Sequence, residues 1–154
     1  MFNLLVWFTG SLQLKKYKRR ELDLWVLPVD CRVNGRYCGK CCYNTEMPLT
    51  RSDIDRIKRL GFKENYFTVY RNGIPHLKNV NGHCVFLDPE TGMCRIYKYR
   101  PLGCRLYPLV YSLDSRRVIV DSECPKSRSI DEKLIRRYIP LLRRLVMEVY
   151  KLKI

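Results

Sequence analysis

The 154-residue sequence has no alanine, one glutamine (Gln13), two histidines, and no apolar run long enough to cross a lipid bilayer. A spanning helix needs about 20 apolar residues, whereas the apolar start of the chain covers only residues 1–8. No positively charged segment precedes it, as a secretory signal would require. We therefore expect neither a transmembrane segment nor a signal peptide. The expected location is cytoplasmic, where thiols serve more often as ligands than as disulfides.

Catalytic signatures are also missing from the sequence. It shows no Ser-His-Asp set and no Cys-His pair at catalytic spacing. Its carboxylates fall mostly in helix caps and turns, so no acid–base pair can be assigned. The two histidines, His76 and His83, are expected to pack beside other groups rather than to ligate a metal. The sequence therefore identifies no catalytic residue and leaves open whether the protein is an enzyme.

Negative charge is scarce. The chain carries 30 Lys and Arg against 15 Asp and Glu, a net charge of +15. If eight thiolates held two zinc ions, each site would add two negative charges and the net charge would fall to about +11. Such a field favours an acidic protein, nucleic acid or anionic lipid as partner. The alternative is a basic solvated surface of the kind common in thermophile proteins.

Linkers, internal repeats and low-complexity tracts are absent, so we expect one domain over residues 1–154. Residues 1–30 form an N-terminal extension with a short predicted strand at residues 22–26. Residues 31–125 form a cysteine-cluster metal-binding core, and residues 129–154 form a C-terminal basic helix. The apolar residues at the start, with the basic run that follows, would also suit contact with a membrane surface.

Tight turns and short apolar runs predict an α+β fold of small antiparallel strands and cysteine knuckle loops, with a short helix and a long C-terminal helix. Hairpin turns are expected at Asn72-Gly73 and Asn81-Gly82, the residue pairs that tight β-turns prefer. A third turn is expected over residues 88–92, and a further hairpin around Asp114-Ser115. The strands are predicted over residues 66–70, 74–80, 84–87, 94–97, 109–113 and 117–120.

The short helix is predicted to begin at Thr50, which can cap it, with Asp53 in its first turn and Gly61 as its end. Its apolar residues are Ile54, Ile57 and Leu60. The spacing is that of an amphipathic helix with one face in the core.

The long helix is predicted to begin near Ile130, with Ser129 and Glu132 as a capping box. Pro140 should kink it or split it in two, because proline lacks the N–H that a helix interior needs. Its arginines and lysines cover one face. The opposite, apolar face consists of Leu134, Ile135, Tyr138, Leu141, Leu142, Leu145, Val146 and Val149.

Eight cysteines dominate what the sequence does contain, and four of them fall within twelve positions. Thiolates at this density suit zinc or the iron of an iron–sulfur cluster, and the spacing does not choose between these two cofactors. The candidate metal and cofactor ligands are Cys31, Cys38, Cys41, Cys42, Cys84, Cys94, Cys104 and Cys124. A framework of disulfides is the competing interpretation, with 105 pairings open to eight cysteines.

Two of these cysteines, Cys41 and Cys42, are adjacent. Neighbouring side chains on extended backbone point to opposite sides. They therefore need not ligate one ion: they could belong to two centres, or one could be a packed free thiol. Cysteines beside turns can also point inward while nearby backbone N–H groups point at the sulfur.

The order of these motifs resembles the YkgJ-type cysteine-cluster family of zinc- or iron-chelating domains. The matching segments are residues 38–42 (CGKCC), 49–54, 82–87, 92–97 and 100–108 (RPLGCRLYP), with Cys124-Pro125 beyond them. The resemblance implies metal or cluster binding and does not carry a reaction over to this chain. One departure concerns Cys31. The family's first block usually runs CxxxCxxCC, whereas six residues separate Cys31 from Cys38 here.

Cations and tyrosines surround the best-matching block. Arg100 and Arg105 flank Cys104, where positive charge would stabilise an anionic sulfur site; surface exposure or a salt bridge is the plain alternative. The interleaved tyrosines could stack nucleobases or belong to the core. They are Tyr97, Tyr99, Tyr107 and Tyr111.

Three functional hypotheses follow from these patterns. The first is a protein that holds zinc or an iron–sulfur cluster through cysteine thiolates, with the metal ordering residues 31–48. The second is an iron–sulfur oxidoreductase or electron-transfer subunit. The third is a basic module that binds nucleic acid.

Overall fold

Four separate two-stranded antiparallel sheets, rather than one large sheet, supply the β structure of residues 26–152, the part of the chain that our computed structural model describes. Together with several short helices and one long C-terminal helix they form the predicted α+β fold. The predicted strand at residues 22–26 lies almost wholly outside the described residues. The strands are β1 Arg32–Val33, β2 Arg36–Tyr37, β3 Thr68–Arg71, β4 Ile74–Leu77, β5 Asn79–Val80, β6 His83–Cys84, β7 Leu109–Ser112 and β8 Arg117–Val120.

Asn-Gly pairs connect three of the four hairpins. At Asn72-Gly73 the φ angles are 50° and 75°, and at Asn81-Gly82 they are 52° and 79°. Two consecutive left-handed residues make the turn whose twist matches paired strands, so both predicted turns are confirmed. Asn34-Gly35 makes the same turn between β1 and β2, with φ angles of 50° and 77°. The predicted hairpin around Asp114-Ser115 is also confirmed, as β7 and β8.

Several strand boundaries differ from the prediction. Glu64–Phe67 forms a helical turn, so β3 begins at Thr68. The predicted strand over residues 74–80 divides into β4, which pairs with β3, and β5, which pairs with β6. Residues 94–97 are not a strand. Cys94 makes one isolated β-bridge, with Leu87, and the Tyr97 N–H donates to the Cys94 carbonyl.

The helices are α1 Arg51–Lys58, α2 Glu64–Phe67, α3 Leu102–Leu106 and α4 Glu132–Tyr150, with 3₁₀ turns at Lys40–Cys42, Tyr97–Tyr99 and Ser127–Ser129. Helix α1 begins as predicted. The Thr50 hydroxyl accepts the Asp53 N–H at 3.1 Å, and the Asp53 carboxylate accepts the Thr50 N–H at 3.0 Å. This capping box satisfies two N–H groups that a helix start otherwise leaves unpaired.

Helix α4 differs from its prediction at its start and at its middle. Asp131 caps it by accepting the Leu134 N–H at 2.7 Å, whereas the Ser129 hydroxyl donates to the Lys126 carbonyl and is not available. The helix continues through Pro140, so of the two predicted outcomes, a kink or a split, the split is wrong. Buried Tyr138 and Leu141 hold both sides of the proline in the core. No helix within residues 26–152 is long and apolar enough to cross a membrane.

Two hydrophobic cores organise the described residues. The first joins α4 to α3 and β7, and its buried members are Leu27, Leu102, Leu106, Leu109, Tyr138, Leu141, Leu142, Leu145 and Val149. The second lies under α1 and the β3–β6 hairpins, and its buried members are Leu49, Ile54, Ile57, Phe67, Leu77, Cys84, Phe86, Leu87 and Ile96. Three more cysteines, Cys42, Cys94 and Cys104, pack against the second core, so half of the thiols lie on this apolar surface.

A buried carboxylate ties α1 to the segment that enters α3. Asp53 is fully buried. Besides capping α1, it accepts the Leu102 N–H at 2.9 Å and pairs with the Arg56 guanidinium. Arg56 in turn donates to the Arg100 carbonyl at 2.9 Å. The helix cap predicted from the sequence therefore also fixes backbone about fifty residues away.

We predict that Asp53→Asn lowers the free energy of unfolding by about 3 kcal/mol, because it leaves the Arg56 guanidinium without its buried counter-charge. Asp55→Asn on the same helix is the matched control. Its exposed ion pair with Arg51 is 3.5 Å long, so the loss should stay below about 1 kcal/mol. Urea unfolding of both variants measures the difference, and equal effects would show that the buried pair does not carry this connection.

Candidate metal centre

All eight cysteines line two adjacent cavities. The first cavity, of about 50 Å³, is lined by the thiols of Cys31, Cys41, Cys42, Cys84, Cys94 and Cys104. The second cavity, of about 40 Å³, is lined by those of Cys31, Cys38, Cys41 and Cys124. The chain thus brings together thiols up to 93 positions apart in sequence. All eight are free thiols, so the disulfide framework is not the arrangement found here.

The hairpin β1–β2 explains the unusual spacing of Cys31 and Cys38. The two cysteines flank the strands at the open end of the hairpin, and the Cys38 N–H donates to the Cys31 carbonyl at 2.9 Å. Because the six intervening residues form the two strands and the Asn34-Gly35 turn, both side chains return to the same place. The departure from the family spacing therefore keeps Cys31 at the site.

The adjacent pair diverges, although for a different reason than expected. Cys41 lines both cavities and Cys42 only the first. The backbone at Lys40–Cys42 is a 3₁₀ turn rather than an extended strand. Successive side chains of such a turn are about 120° apart, so the two residues border different sets of cavities although their sulfurs stay within hydrogen-bond reach of each other.

Backbone N–H groups point at several sulfurs, as expected for cysteine knuckles. Burial raises the pKa of Cys84 and Cys94 overall; the Phe86 and Leu87 N–H groups reduce this rise at Cys84, and the Ile96 N–H reduces it at Cys94. The Lys126 N–H does the same at Cys124. These fixed dipoles favour the thiolate form, which is the form that binds metal.

Burial acts against these dipoles. It is the largest influence on the pKa of Cys84, which rises to about 11, and it also raises the pKa of Cys94 and Cys104. Within the adjacent pair, a hydrogen bond between the two sulfurs lowers the pKa of Cys41 and raises that of Cys42. Thiols buried in apolar surroundings stay protonated unless a cation compensates the charge.

Arg100 supplies one positive charge at this site. Its guanidinium carbon lies 3.7 Å from the centroid of the Tyr97 ring, and both residues line the first cavity. The charge acts to lower the pKa of Cys41, Cys94 and Cys104. The hydrogen bond to Cys42 is the larger influence at Cys41, and burial is the larger influence at Cys94 and Cys104. Arg105, the other predicted flanking cation, is buried and lines neither cysteine cavity.

Two glycines bring the first cysteine loop against the turn over residues 88–92, a contact that sequence reasoning missed. A Cβ on Gly92 would lie 2.5 Å from the Tyr37 carbonyl oxygen, and one on Gly39 would lie 3.1 Å from the Gly92 carbonyl oxygen. Both glycines have positive φ. The sequence signals for this contact are that Gly39 follows Cys38 and that Gly92 lies in the predicted turn.

The donor set matches soft metals, since thiolates are the ligands of structural zinc and of iron–sulfur clusters. Within residues 26–152, no three Cys, His, Asp or Glu side chains are positioned to hold a metal ion. The thiols line the cavities without converging on one point. His83 and His76 line neither cysteine cavity, and their Nδ1 atoms lie 3.0 Å and 2.9 Å from the carbonyl oxygens of Cys84 and Ile74.

Comparison with known families agrees with this donor set. Residues 30–126 match the CxxCxxCC family, described as a "putative zinc- or iron-chelating domain". The chain belongs to this family. Membership in the CxxCxxCC family, also called the YkgJ-type cysteine-cluster family, supports metal binding and does not specify the metal.

One curated relative is an uncharacterized protein of Methanocaldococcus jannaschii, 35% identical over 113 residues. The alignment covers 68% of this chain and 57% of the relative, so the chain spans little more than half of that protein. No solved structure matches the chain. The position of the CxxCxxCC thiols in space therefore rests on the geometry described above.

We predict that Gly92→Ala destabilises the protein by about 2–4 kcal/mol, because the new Cβ collides with the Tyr37 carbonyl in addition to the left-handed strain. Gly73→Ala is the control. Its φ of 75° is close to the 71° of Gly92, and nothing lies within 4 Å of its Cβ, so strain alone should cost about 1 kcal/mol. Thermal unfolding and the rate of thiol alkylation measure the effect. Equal melting temperatures and alkylation rates in the two variants would show that the Gly92 contact does not support the site.

Proposed function

We propose that this member of the CxxCxxCC family binds zinc or iron through the thiolates that line the first cavity. One observation carries the proposal: four segments distant in sequence each place a cysteine at the same small cavity on the second core. The thiols in question are Cys42, Cys84, Cys94 and Cys104. Each comes from a different local structure: the 3₁₀ turn, the end of β6, the loop after the 88–92 turn, and helix α3.

The physical argument is one of charge. Four buried thiolates on an apolar core would repel one another and would lack solvation. A divalent metal or a cluster removes that cost and links the four segments. The backbone N–H groups at Cys84 and Cys94, together with the Arg100 guanidinium, favour the anionic sulfurs from outside the cavity.

The bound metal would have a structural role first. The loop over residues 38–48 has little regular pairing beyond two isolated bridges, at Tyr43 and Pro48, and its side chains that pack against the second core include Cys42 and Met47. Metal binding at Cys42 would therefore join this loop to the three segments that carry the other thiols. We infer that loss of the metal loosens the loop while leaving α4 and the first core in place.

Electron transfer through an iron–sulfur cluster is the second candidate. The observation that favours it is the exposure of Cys41, which borders both cavities and also lines a larger groove of about 520 Å³. Solvent exposure and nearby charge are among the factors that set cluster potentials. Brown colour and a visible absorption band in anaerobically purified protein would identify this case, whereas colourless protein with stoichiometric zinc would reject it.

Nucleic-acid binding stays a prediction. Of the four tyrosines proposed for base stacking, Tyr99 is the one that is largely exposed, at 47%. One face of the Tyr97 ring is covered by Arg100. Affinity for RNA or DNA that falls steeply with salt would support this function, and no retention at low salt would contradict it.

The direct test is metal content. We predict that anaerobically purified protein contains zinc or iron and that Cys94→Ser reduces it, because serine is a poor ligand for soft metals. The matched control is Met93→Ser, one residue earlier, whose side chain is 39% exposed. It should retain the wild-type metal content by elemental analysis. Metal-free wild-type protein that is folded and fully reduced would refute the proposal.

A second prediction concerns the loop. Removal of the metal with a chelator should lower the melting temperature and speed hydrogen exchange at residues 31–48, whereas exchange at the buried residues of α4 should change little. Circular dichroism and hydrogen exchange measure these effects. An unchanged spectrum, melting temperature and exchange pattern after verified metal removal would contradict a structural role.

A further inference from the structure

The two cavities divide the cysteines into two sets of four. Cys31, Cys38, Cys41 and Cys124 line the second cavity. The first cavity is lined by the other four, Cys42, Cys84, Cys94 and Cys104, and also by Cys31 and Cys41, which border both spaces. We infer that the chain holds two separate four-thiolate centres, one for each set. This inference rests on the proposed function.

The second set is brought together by three independent pieces of structure. Hairpin β1–β2 places Cys31 beside Cys38, the 3₁₀ turn places Cys41, and the loop between β8 and α4 places Cys124. Four thiolates complete the tetrahedral shell of a structural zinc ion.

The shared residues stand at the boundary between the two cavities. Gly39, Cys31 and Cys41 line both spaces. We assign Cys31 to the second centre because its backbone is hydrogen bonded to Cys38. We assign Cys41 there because the first cavity has four cysteines without Cys31 and Cys41, whereas the second needs both to reach four. The adjacent cysteines would then join the two centres through one peptide bond.

The second cavity has supporting groups of its own. Tyr107 lines it, and its hydroxyl donates to the Asp121 carboxylate at 2.9 Å. The Asp121 carbonyl accepts the Cys124 N–H at 3.2 Å, and the Cys124 carbonyl accepts the Ser127 N–H at 2.9 Å. The loop that carries Cys124 is therefore positioned by contacts independent of the first cavity. Orienting contacts of this kind surround metal ligands in proteins.

The test is zinc stoichiometry in the full chain, reconstituted anaerobically with zinc chloride after metal removal. Wild-type protein should bind two zinc ions per chain, as four thiolates occupy each ion. Cys38→Ser and Cys124→Ser should each lose one of them, and so should Cys94→Ser. The double variant Cys94→Ser/Cys124→Ser should lose both, while Met93→Ser should keep both. Elemental analysis of desalted protein gives the numbers.

A second measurement uses wild-type protein and does not depend on whether the variants fold. One equivalent of zinc is added, exposed thiols are alkylated, and individual molecules are read by mass spectrometry. We expect the protected cysteines in each molecule to be one of the two sets: Cys31, Cys38, Cys41 and Cys124, or Cys42, Cys84, Cys94 and Cys104. Protection of mixed sets would overturn the partition.

The outcomes distinguish a failure of metal binding from a failure of the division into two centres. Wild-type protein that binds no zinc or iron refutes the proposed function, and the partition with it. Wild-type protein that binds one ion, or single variants that lose all metal with mixed protection patterns, refutes the partition and leaves metal binding intact. Two ions with separable losses support both.

Discussion

The buried Asp53 carboxylate is the interaction on which the arrangement of the site depends. It closes the N-terminal turn of α1, accepts the Leu102 N–H and holds the Arg56 guanidinium, all without access to solvent. A buried charge is tolerated only where every such partner is in place. Its position therefore determines where the chain enters α3, the helix that carries Cys104 to the first cavity. The second core packs beneath this connection and supports the thiols of Cys42, Cys84 and Cys94.

Burial and charge oppose each other at the thiols. The apolar core raises the pKa of Cys84, Cys94 and Cys104, while backbone N–H groups and Arg100 act in the other direction. Because neither influence removes the cost of several buried anions, a bound cation is the simplest compensation.

Local signals in the sequence predicted much of the fold. The Asn-Gly turns, the Thr50 cap and the apolar face of α4 depend on a few neighbouring residues, and each was confirmed. The errors arose where local signals competed or where distant contacts decided. Asp131 rather than Ser129 caps α4, because Ser129 is engaged in a 3₁₀ turn. Residues 94–97 were predicted as a strand but form a turn with one bridge to Leu87, because the Tyr97 N–H bonds the Cys94 carbonyl and not a neighbouring strand.

The sequence by itself determined the donor chemistry: eight thiols, few histidines, a strong positive charge and the order of the family's motifs. Only the tertiary structure decided which thiols share a space. The contact at Gly92 depends on backbone geometry between residues that are distant in sequence. The return of Cys31 to Cys38, and the different cavities that Cys41 and Cys42 line, depend on turn types that spacing does not specify. Residue types restrict which metals could bind, whereas packing decides which thiols lie at the same cavity.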